Sequence, residues 1–168
     1  MGMRATFRQL SDNDLKELKS VYAIEDNDFE EVEDTDEEVA FVLDIDKMWD
    51  VLHFVLTGAS SLEPIKNSPL SEAVVGVTPI EDVEEYIAYT EKSRIKDIVI
   101  SLDNFDMEKT LEEFSMEQCK AANLYPDIWD YEEESDEIKE EIMDCFQAMK
   151  EFYKKILEAN INVIVTIC

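Results

Sequence analysis

The sequence predicts a single α+β domain in which a mixed β-sheet is covered by several helices. The clearest observation is a helical repeat of apolar residues from Ser135 to Ile156, which runs directly into a strand-like segment at 161–168. A long amphipathic helix that returns into a buried strand is typical of helices layered on a sheet. The 168 residues contain no internal repeat and no linker. We therefore expect residues 1–168 to form one domain that buries about 70% of its unfolded surface.

The N-terminal part predicts a strand, a helix and an acidic loop. Loose alternation over residues 3–9 indicates the strand, and the run Ser-Asp-Asn-Asp at 11–14 offers a cap for the helix. Ten of the fourteen residues in 25–38 are acidic, and like charges at this density predict an exposed, mobile acidic loop. Its carboxylates are spaced like those of an EF-hand, but Glu31 stands where that motif needs glycine, which argues against a calcium site.

Residues 46–57 predict a short central helix, preceded by the apolar run 39–43. Asp46 can cap its first free N–H groups, and its charge suits the positive end of the helix dipole. Gly58 can end the helix in the left-handed conformation that a side chain resists.

One polar stripe crosses this otherwise apolar helix, and it contains Asp46, Asp50, His53 and Thr57. His53 is the only histidine and lies three residues after Asp50, so the two side chains are neighbours. The functional interpretation is a small-ligand or catalytic site in which the carboxylate orients the imidazole as a general base. The structural interpretation is a hydrogen-bonded core histidine, with Trp49 filling the core beside it.

The middle of the chain predicts two strands and two helices, from β-branched runs, a Thr-Pro helix start and apolar spacing. The expected elements are a strand at 71–77, a helix from Thr78 to Ile87 and a helix at 106–124. Residues 95–102 fit a strand or the end of a helix, and Ile98, Val99 and Ile100 favour the strand.

Residues 125–131 are a proline-containing loop with three large aromatic side chains, Tyr125, Trp129 and Tyr131, followed by Glu132, Glu133 and Glu134. One interpretation is a packing plug that fixes the loop to the core. The other is a recognition patch, because Trp and Tyr dominate binding hot spots.

The charge of the chain restricts the classes of partner. With 42 acidic and 15 basic residues, the formal net charge is -27. Such a surface repels phosphates and anionic lipid, so we expect no nucleic-acid and no membrane partner. It attracts basic proteins, or else it only keeps the protein soluble. The sequence leaves both interpretations open.

The three cysteines, Cys119, Cys145 and Cys168, are widely spaced and form no C-x-x-C pair. They predict neither a zinc site nor a disulfide framework, and free thiols are typical of a cytoplasmic protein. No apolar run approaches the ~20 residues of a membrane span. We expect no cofactor and no bound metal.

Several segments resemble the YfbM-like family. Residues 43–58, LDIDKMWDVLHFVLTG, are similar to its LDxDKxWxxLHFLLTG signature. Residues 69–71 (PLS), 124–129 (LYPDIW), 152–153 (FY) and the initial MGM are also similar. The family's GYGPARxL stretch is absent, because residues 86–95 lack its glycine and proline, so a pocket formed there would differ. The resemblance implies a small bacterial α+β protein of a family described as a domain of unknown function. It supplies no catalytic residues.

Three hypotheses follow from these observations. We favour a binding or inhibitory module that recognises a basic partner, for example a toxin or a nucleic-acid-binding protein. The alternatives are a small-ligand binder or enzyme that uses Asp50 and His53, and a structural domain without a site of its own. The sequence shows no nucleophile elbow or phosphate loop, so it favours a function other than catalysis. The candidate binding residues are Asp46, Trp49, Asp50, His53, Tyr125, Trp129 and Tyr131.

Overall fold

The computed structural model describes residues 2–23, 41–81 and 83–168. Within these residues the chain forms five strands and seven α-helices, and one 3-10 turn at Glu132–Glu134 precedes the last helix. The elements in chain order are β1 (Ala5–Leu10), α1 (Asp12–Ala23), β2 (Val42–Asp46), α2 (Trp49–Thr57), α3 (Pro69–Val75), β3 (Thr78–Pro79), β4 (Tyr86–Thr90), α4 (Lys92–Asn104), α5 (Met107–Glu112), α6 (Met116–Ala121), α7 (Ser135–Ala159) and β5 (Asn162–Ile167).

The strands form one sheet in the order β2-β1-β5-β4-β3. All four neighbouring pairs are antiparallel. The predicted α+β class and single domain are confirmed, but the expected mixed sheet is instead antiparallel. The reason is that β5 enters between β1 and β4 and runs opposite to both, so no parallel pair with its crossover arises among the described strands.

Helix α7 packs along the buried face of the sheet. Its inward side chains Ile142, Met149, Tyr153 and Ile156 are fully or almost fully buried. Phe152 meets Phe7 of β1 edge to face, with 6.3 Å between the ring centroids. These contacts place the hydrophobic core between α7 and the centre of the sheet, as the amphipathic spacing predicts.

Both ends of the chain follow the sequence prediction. Ser11 Oγ accepts a hydrogen bond from the Asp14 N–H at 3.0 Å and so caps α1. Asn160 ends α7 in the left-handed conformation, with φ of 54°. Strand β5 follows directly and lies between two other strands. The predicted acidic loop 25–38 lies outside the described residues.

The middle of the chain departs from the prediction. Residues 71–77, predicted as a strand, lie mostly in α3, because Ser68 caps that helix and Pro69 occupies its first turn. The helix expected from Thr78 to Ile87 is the hairpin of β3 and β4, in which Pro79 lies opposite Ala88. Proline is tolerated there because β3 is the edge strand of the sheet.

The two later predictions were wrong in different ways. Residues 95–102, for which the sequence favours a strand over a helix end, belong to α4, where Ile95, Ile98 and Leu102 are buried at helical spacing. The single helix expected over 106–124 is divided into α5 and α6. Ser115 starts the second of these by accepting the Gln118 N–H at 3.2 Å.

Candidate functional site

Helix α2 is central to the candidate site, and it begins later than predicted. Asp46 is the last residue of β2 and pairs with Ala5, so it does not cap the helix. Its φ of 50° turns the chain out of the strand, and its exposed carboxylate lies 3.3 Å from Arg4 Nε. Met48 occupies the cap position and makes no side-chain cap hydrogen bond. Gly58 ends the helix as predicted, with φ of 82°.

Asp50 is 2% exposed and accepts four hydrogen bonds. Its Oδ1 accepts from the Ser60 hydroxyl at 3.0 Å, the Ser61 N–H at 2.9 Å and the Ser61 hydroxyl at 2.8 Å. Its Oδ2 accepts from the Tyr125 N–H at 2.8 Å. Hydrogen bonds to an ionised acceptor are stronger than neutral ones. Asp50 therefore joins the loop after α2 to the loop after α6.

His53 is completely buried and also contacts the loop after α2. Its Nδ1 lies 2.7 Å from the Ala59 carbonyl oxygen, and its Nε2 lies 2.7 Å from Ser71 Oγ. Because a carbonyl can only accept, Nδ1 carries the proton and Nε2 accepts from the Ser71 hydroxyl. Burial lowers the pKa of His53, although the Ala59 carbonyl and the Asp50 charge oppose this shift.

Asp50, the carboxylate expected to orient this imidazole, does not hold it by a hydrogen bond. Among the described residues no hydrogen bond joins Asp50 to His53, and the Ala59 carbonyl orients the ring instead. Ser71 Oγ also accepts the Ile65 N–H at 3.0 Å. Asp50, His53 and Ser71 together fasten residues 59–65 to α2 and α3, an arrangement that we call the polar clamp.

The polar clamp is satisfied internally. Within the described part of the chain, every buried side-chain nitrogen or oxygen has a hydrogen-bond partner. A fully satisfied buried network makes a structure rigid, because leaving any one member unpaired is costly. No three His, Cys, Asp or Glu side chains of the described residues come close enough to hold a metal ion.

Two aromatic candidates attach the N-terminal segment to α2. Trp49 stacks on Tyr125, with 5.2 Å between ring centroids and 19° between ring planes. The Trp49 Nε1–H donates to the Met3 carbonyl at 3.1 Å, and the Met3 N–H donates to the Tyr125 hydroxyl at 2.7 Å. These contacts show that Trp49 and Tyr125 support packing.

The other two aromatic candidates have opposite environments. Trp129 is 3% exposed and donates its Nε1–H to the Leu124 carbonyl at 2.9 Å, as expected of a packing plug. Tyr131 is 53% exposed. Of the seven candidate residues, Tyr131 and Asp46 are therefore the ones that present most of their side chain to solvent.

Sequence reasoning did not identify Ser60, Ser61 and Ser71 as partners of Asp50 and His53. The available signal is weak: two serines lie three and four residues after the end of α2, and a third lies in the first turn of α3. Serine at such positions is usually explained by turns and helix caps.

Tyr131 lies within a long acidic surface. Residues 127–144, which we call the acidic segment, contain ten acidic residues and one lysine, Lys139. All ten carboxylate residues are exposed. The remainder of α7, residues 145–159, has three lysines and two glutamates, so the charge is concentrated at the start of this helix.

The fold and this site define the class of protein: an α+β domain whose sheet is covered by helices and whose helix α2 is surrounded by buried polar and aromatic contacts. Residues 1–166 match the model of a family described as a domain of unknown function (DUF1877), and the chain belongs to that family.

Two comparisons with relatives agree. The chain is 33% identical to Protein YfbM of Escherichia coli (strain K12) over 116 residues, which cover 68% of this chain and 70% of that protein. It is similar to the crystal structure of a protein of unknown function, YfbM from Escherichia coli, with a TM-score of 0.79 and 26% identity. That match covers 98% of this chain and 99% of the other.

These findings confirm the resemblance to the YfbM-like family. The similar segments are distant in sequence but meet around α2. Asp50 of residues 43–58 contacts Tyr125 of residues 124–129, and His53 contacts Ser71 of residues 69–71.

Proposed function

We propose that this protein is a cytoplasmic protein-binding module that recognises a basic partner protein through its acidic segment. The observation that carries the proposal is the concentration of ten exposed carboxylate residues against one lysine in residues 127–144. A surface with one sign of charge steers an oppositely charged protein and rejects partners of like charge.

The acidic segment is largely uncompensated. Within the described residues, Asp130 alone of the ten forms an ion pair, with Lys120. Side chains 136, 137, 140, 141 and 144 recur at helical spacing, so they form one solvent-facing stripe along α7. Because the carboxylates form a continuous exposed stripe, they can contact several basic residues of an extended partner surface.

Tyr131 provides an aromatic contact at the start of this stripe. Its side chain is 53% exposed, and Glu132, Glu133 and Glu134 follow it directly. Tyrosine contributes strongly to interfaces because it combines a large apolar ring with a hydroxyl group. We therefore propose Tyr131 as the anchor of the acidic segment.

The test is capture followed by a quantitative binding measurement. Immobilised protein is incubated with lysate of the source cells at low and at high salt, and the captured proteins are identified by mass spectrometry. The proposal expects a basic protein that is retained at low salt and reduced at high salt. The purified partner is then titrated against the wild type and two matched variants.

The two variants remove the same charge from different surfaces. One carries Glu132→Gln, Glu133→Gln and Glu134→Gln in the acidic segment. The other carries Glu112→Gln, Glu113→Gln and Glu117→Gln, which are exposed on α5 and α6 and between them. The proposal expects a clearly larger loss of affinity for the first variant. Equal losses would show that net charge alone attracts the partner.

A second candidate function is supported by one contact. The 2.7 Å distance between Ser71 Oγ and His53 Nε2, with Nδ1 fixed by a carbonyl, is the geometry of a serine nucleophile and its base. Ser71 is only 1% exposed, which favours the structural interpretation. A fluorophosphonate that labels the wild type but not Ser71→Ala would support a hydrolase, and absence of labelling would reject it.

A further inference from the structure

The loop between α2 and α3, residues 59–68, presents apolar side chains to solvent, and we call it the neutral loop. Leu62 is 81% exposed, the highest value among the large hydrophobic side chains that the structure describes, and Ile65 is 41% exposed. Pro64 between them is exposed as well. Single exposed apolar side chains are normal at a protein surface, so the neutral loop is of interest because three lie within four positions.

The neutral loop is held in one conformation by the polar clamp and by two turns. The Glu63 N–H donates to the Ser60 carbonyl at 2.9 Å in the first turn. The Ser68 N–H donates to the Ile65 carbonyl at 3.4 Å in the second, where Asn67 adopts the left-handed conformation with φ of 60°. A loop that is fixed before binding loses little conformational entropy in a complex. The exposed apolar side chains are therefore preorganised for a contact.

The neutral loop lies in a stretch that lacks the acidic excess of the chain. The protein has 42 acidic and 15 basic residues, yet residues 51–71 contain one of each, Glu63 and Lys66. Both side chains are exposed, and neither forms an ion pair with another described residue. Two copies of a chain with a net charge of -27 repel each other at acidic surfaces. A contact between copies is therefore least opposed where the surface is neutral.

The two charges of the neutral loop are complementary to those of a second copy of the same loop. Across a two-fold axis, a residue that contacts a second position in the partner is matched by the reverse contact. Glu63 can then face Lys66 of the partner subunit, and Lys66 can face Glu63 of the partner subunit. Such a contact contains two pairs of opposite charge and no pair of like charge. Because Pro64 and Ile65 lie between the two charged residues in sequence, apolar surface lies between the pairs.

We propose that two copies of the protein associate through the neutral loop about a two-fold axis. Leu62 and Ile65 of each copy pack against the other copy. Glu63 of each copy forms an ion pair with Lys66 of the partner subunit. The proposal goes beyond binding of a basic protein, because it uses another part of the chain and a mainly apolar contact. The ten residues of the loop are fewer than the about 20–30 that each partner contributes to a standard interface, so we expect a weak dimer.

Sedimentation velocity of the purified protein, over a series of protein concentrations, measures the equilibrium between monomer and dimer. Leu62→Ser removes the most exposed apolar side chain of the neutral loop, and Leu157→Ser is the matched control on α7. Both positions are exposed, so both variants should fold. We expect Leu62→Ser to weaken dimerisation by about tenfold, because one apolar side chain of each copy leaves the contact. A wild type that is monomeric at every concentration, or equal dimerisation of the two variants, would overturn the proposal.

Charge reversal tests the two-fold pairing. Glu63→Lys and Lys66→Glu each place like charges in contact, so each should weaken dimerisation by about fivefold. An equimolar mixture of these two variants should recover it, because each copy supplies the charge that the other lacks. The double variant Glu63→Lys, Lys66→Glu has the net charge of the wild type and should dimerise like it. Stronger dimerisation of Glu63→Lys would show that net charge alone controls association, and failure of the mixture to recover would also overturn the pairing.

Salt separates the dimer from the proposed function. Raising the salt concentration from about 0.01 M to about 0.15 M shortens the screening length from about 30 Å to about 8 Å. This change weakens capture of a basic protein, but it reduces repulsion between two acidic copies, so we expect a tighter dimer. A dimer that weakens as salt rises would contradict an apolar contact. The variant with Glu132, Glu133 and Glu134 changed should still dimerise, and Leu62→Ser should still bind the basic partner, so either proposal can fail without the other.

Discussion

The Tyr125 N–H donates a 2.8 Å hydrogen bond to Oδ2 of Asp50, across 75 positions of the sequence. The ring of Tyr125 also stacks on Trp49, the residue before Asp50. Helix α2 and the loop after α6 are thus joined by one polar and one aromatic contact side by side. From these contacts we expect Asp50 to contribute to the stability of the fold.

Asp50→Asn should lower the free energy of unfolding by about 2–3 kcal/mol, because its amide group places donors beside N–H groups that need an acceptor. Urea denaturation measures the change. Asp46→Asn is the matched control: it removes the same charge from an exposed side chain, so we expect a change within about 0.5 kcal/mol. Similar changes for the two variants would contradict the role assigned to Asp50.

Ser71→Ala should cost about 1–3 kcal/mol, since it leaves both His53 Nε2 and the Ile65 N–H without their partner. It should also speed hydrogen exchange at Ile65, because residues 59–65 lose one of their attachments. Ser93→Ala, at an exposed position in the first turn of α4, serves as the control. Unchanged exchange at Ile65 would argue against the polar clamp.

His53 should make the protein less stable as the pH falls below about 6.5, the ordinary pKa of histidine. Burial lowers the pKa of His53 in the folded state. The unfolded chain therefore binds a proton at a pH where the folded chain does not, which favours unfolding. The measurement is the difference in unfolding free energy between the wild type and His53→Gln, from pH 8 to 5. This difference should shift against the wild type as the pH falls, and a constant difference would refute the prediction.

Trp129→Ala should destabilise the protein by about 3–5 kcal/mol, the usual cost of truncating a buried aromatic side chain. Tyr131→Ala should change stability by less than about 0.5 kcal/mol but weaken binding of the basic partner by about 1 kcal/mol or more. Thermal unfolding and a binding titration distinguish the two effects. A reduced affinity without loss of stability for Trp129→Ala would reverse these assignments.

The parts of the fold that the sequence predicted correctly depend on long or well-marked patterns. Helix α7 extends over 25 residues, so its apolar repeat is unambiguous. Two of the wrong predictions, the strands at 71–77 and 95–102, fall on short β-branched runs, which occur in buried strands and helices alike. Ile98, Val99 and Ile100 favour a strand, but they lie in α4, where Ile98 is buried and Ile100 is exposed.

At the candidate site, too, local spacing predicted some features and could not predict others. Helical spacing placed Asp50 and His53 on one side of α2, and both are buried there. Their partners could not be read from that spacing, because they belong to helix α3 and to loops that fold back over α2. Hydrogen bonds to Ser61, Ser71 and Tyr125 depend on tertiary structure, which a local pattern does not contain.

The central claim is that the acidic segment at 127–144 binds a basic protein. Its most direct test is the dissociation constant of the captured partner, measured across a range of salt concentrations. We expect the variant with Glu132, Glu133 and Glu134 changed to glutamine to bind about tenfold more weakly at low salt, a loss of about 1.4 kcal/mol. The variant with Glu112, Glu113 and Glu117 changed should stay near the wild-type value. Affinity that is independent of salt, or equal for the two variants, would contradict the claim.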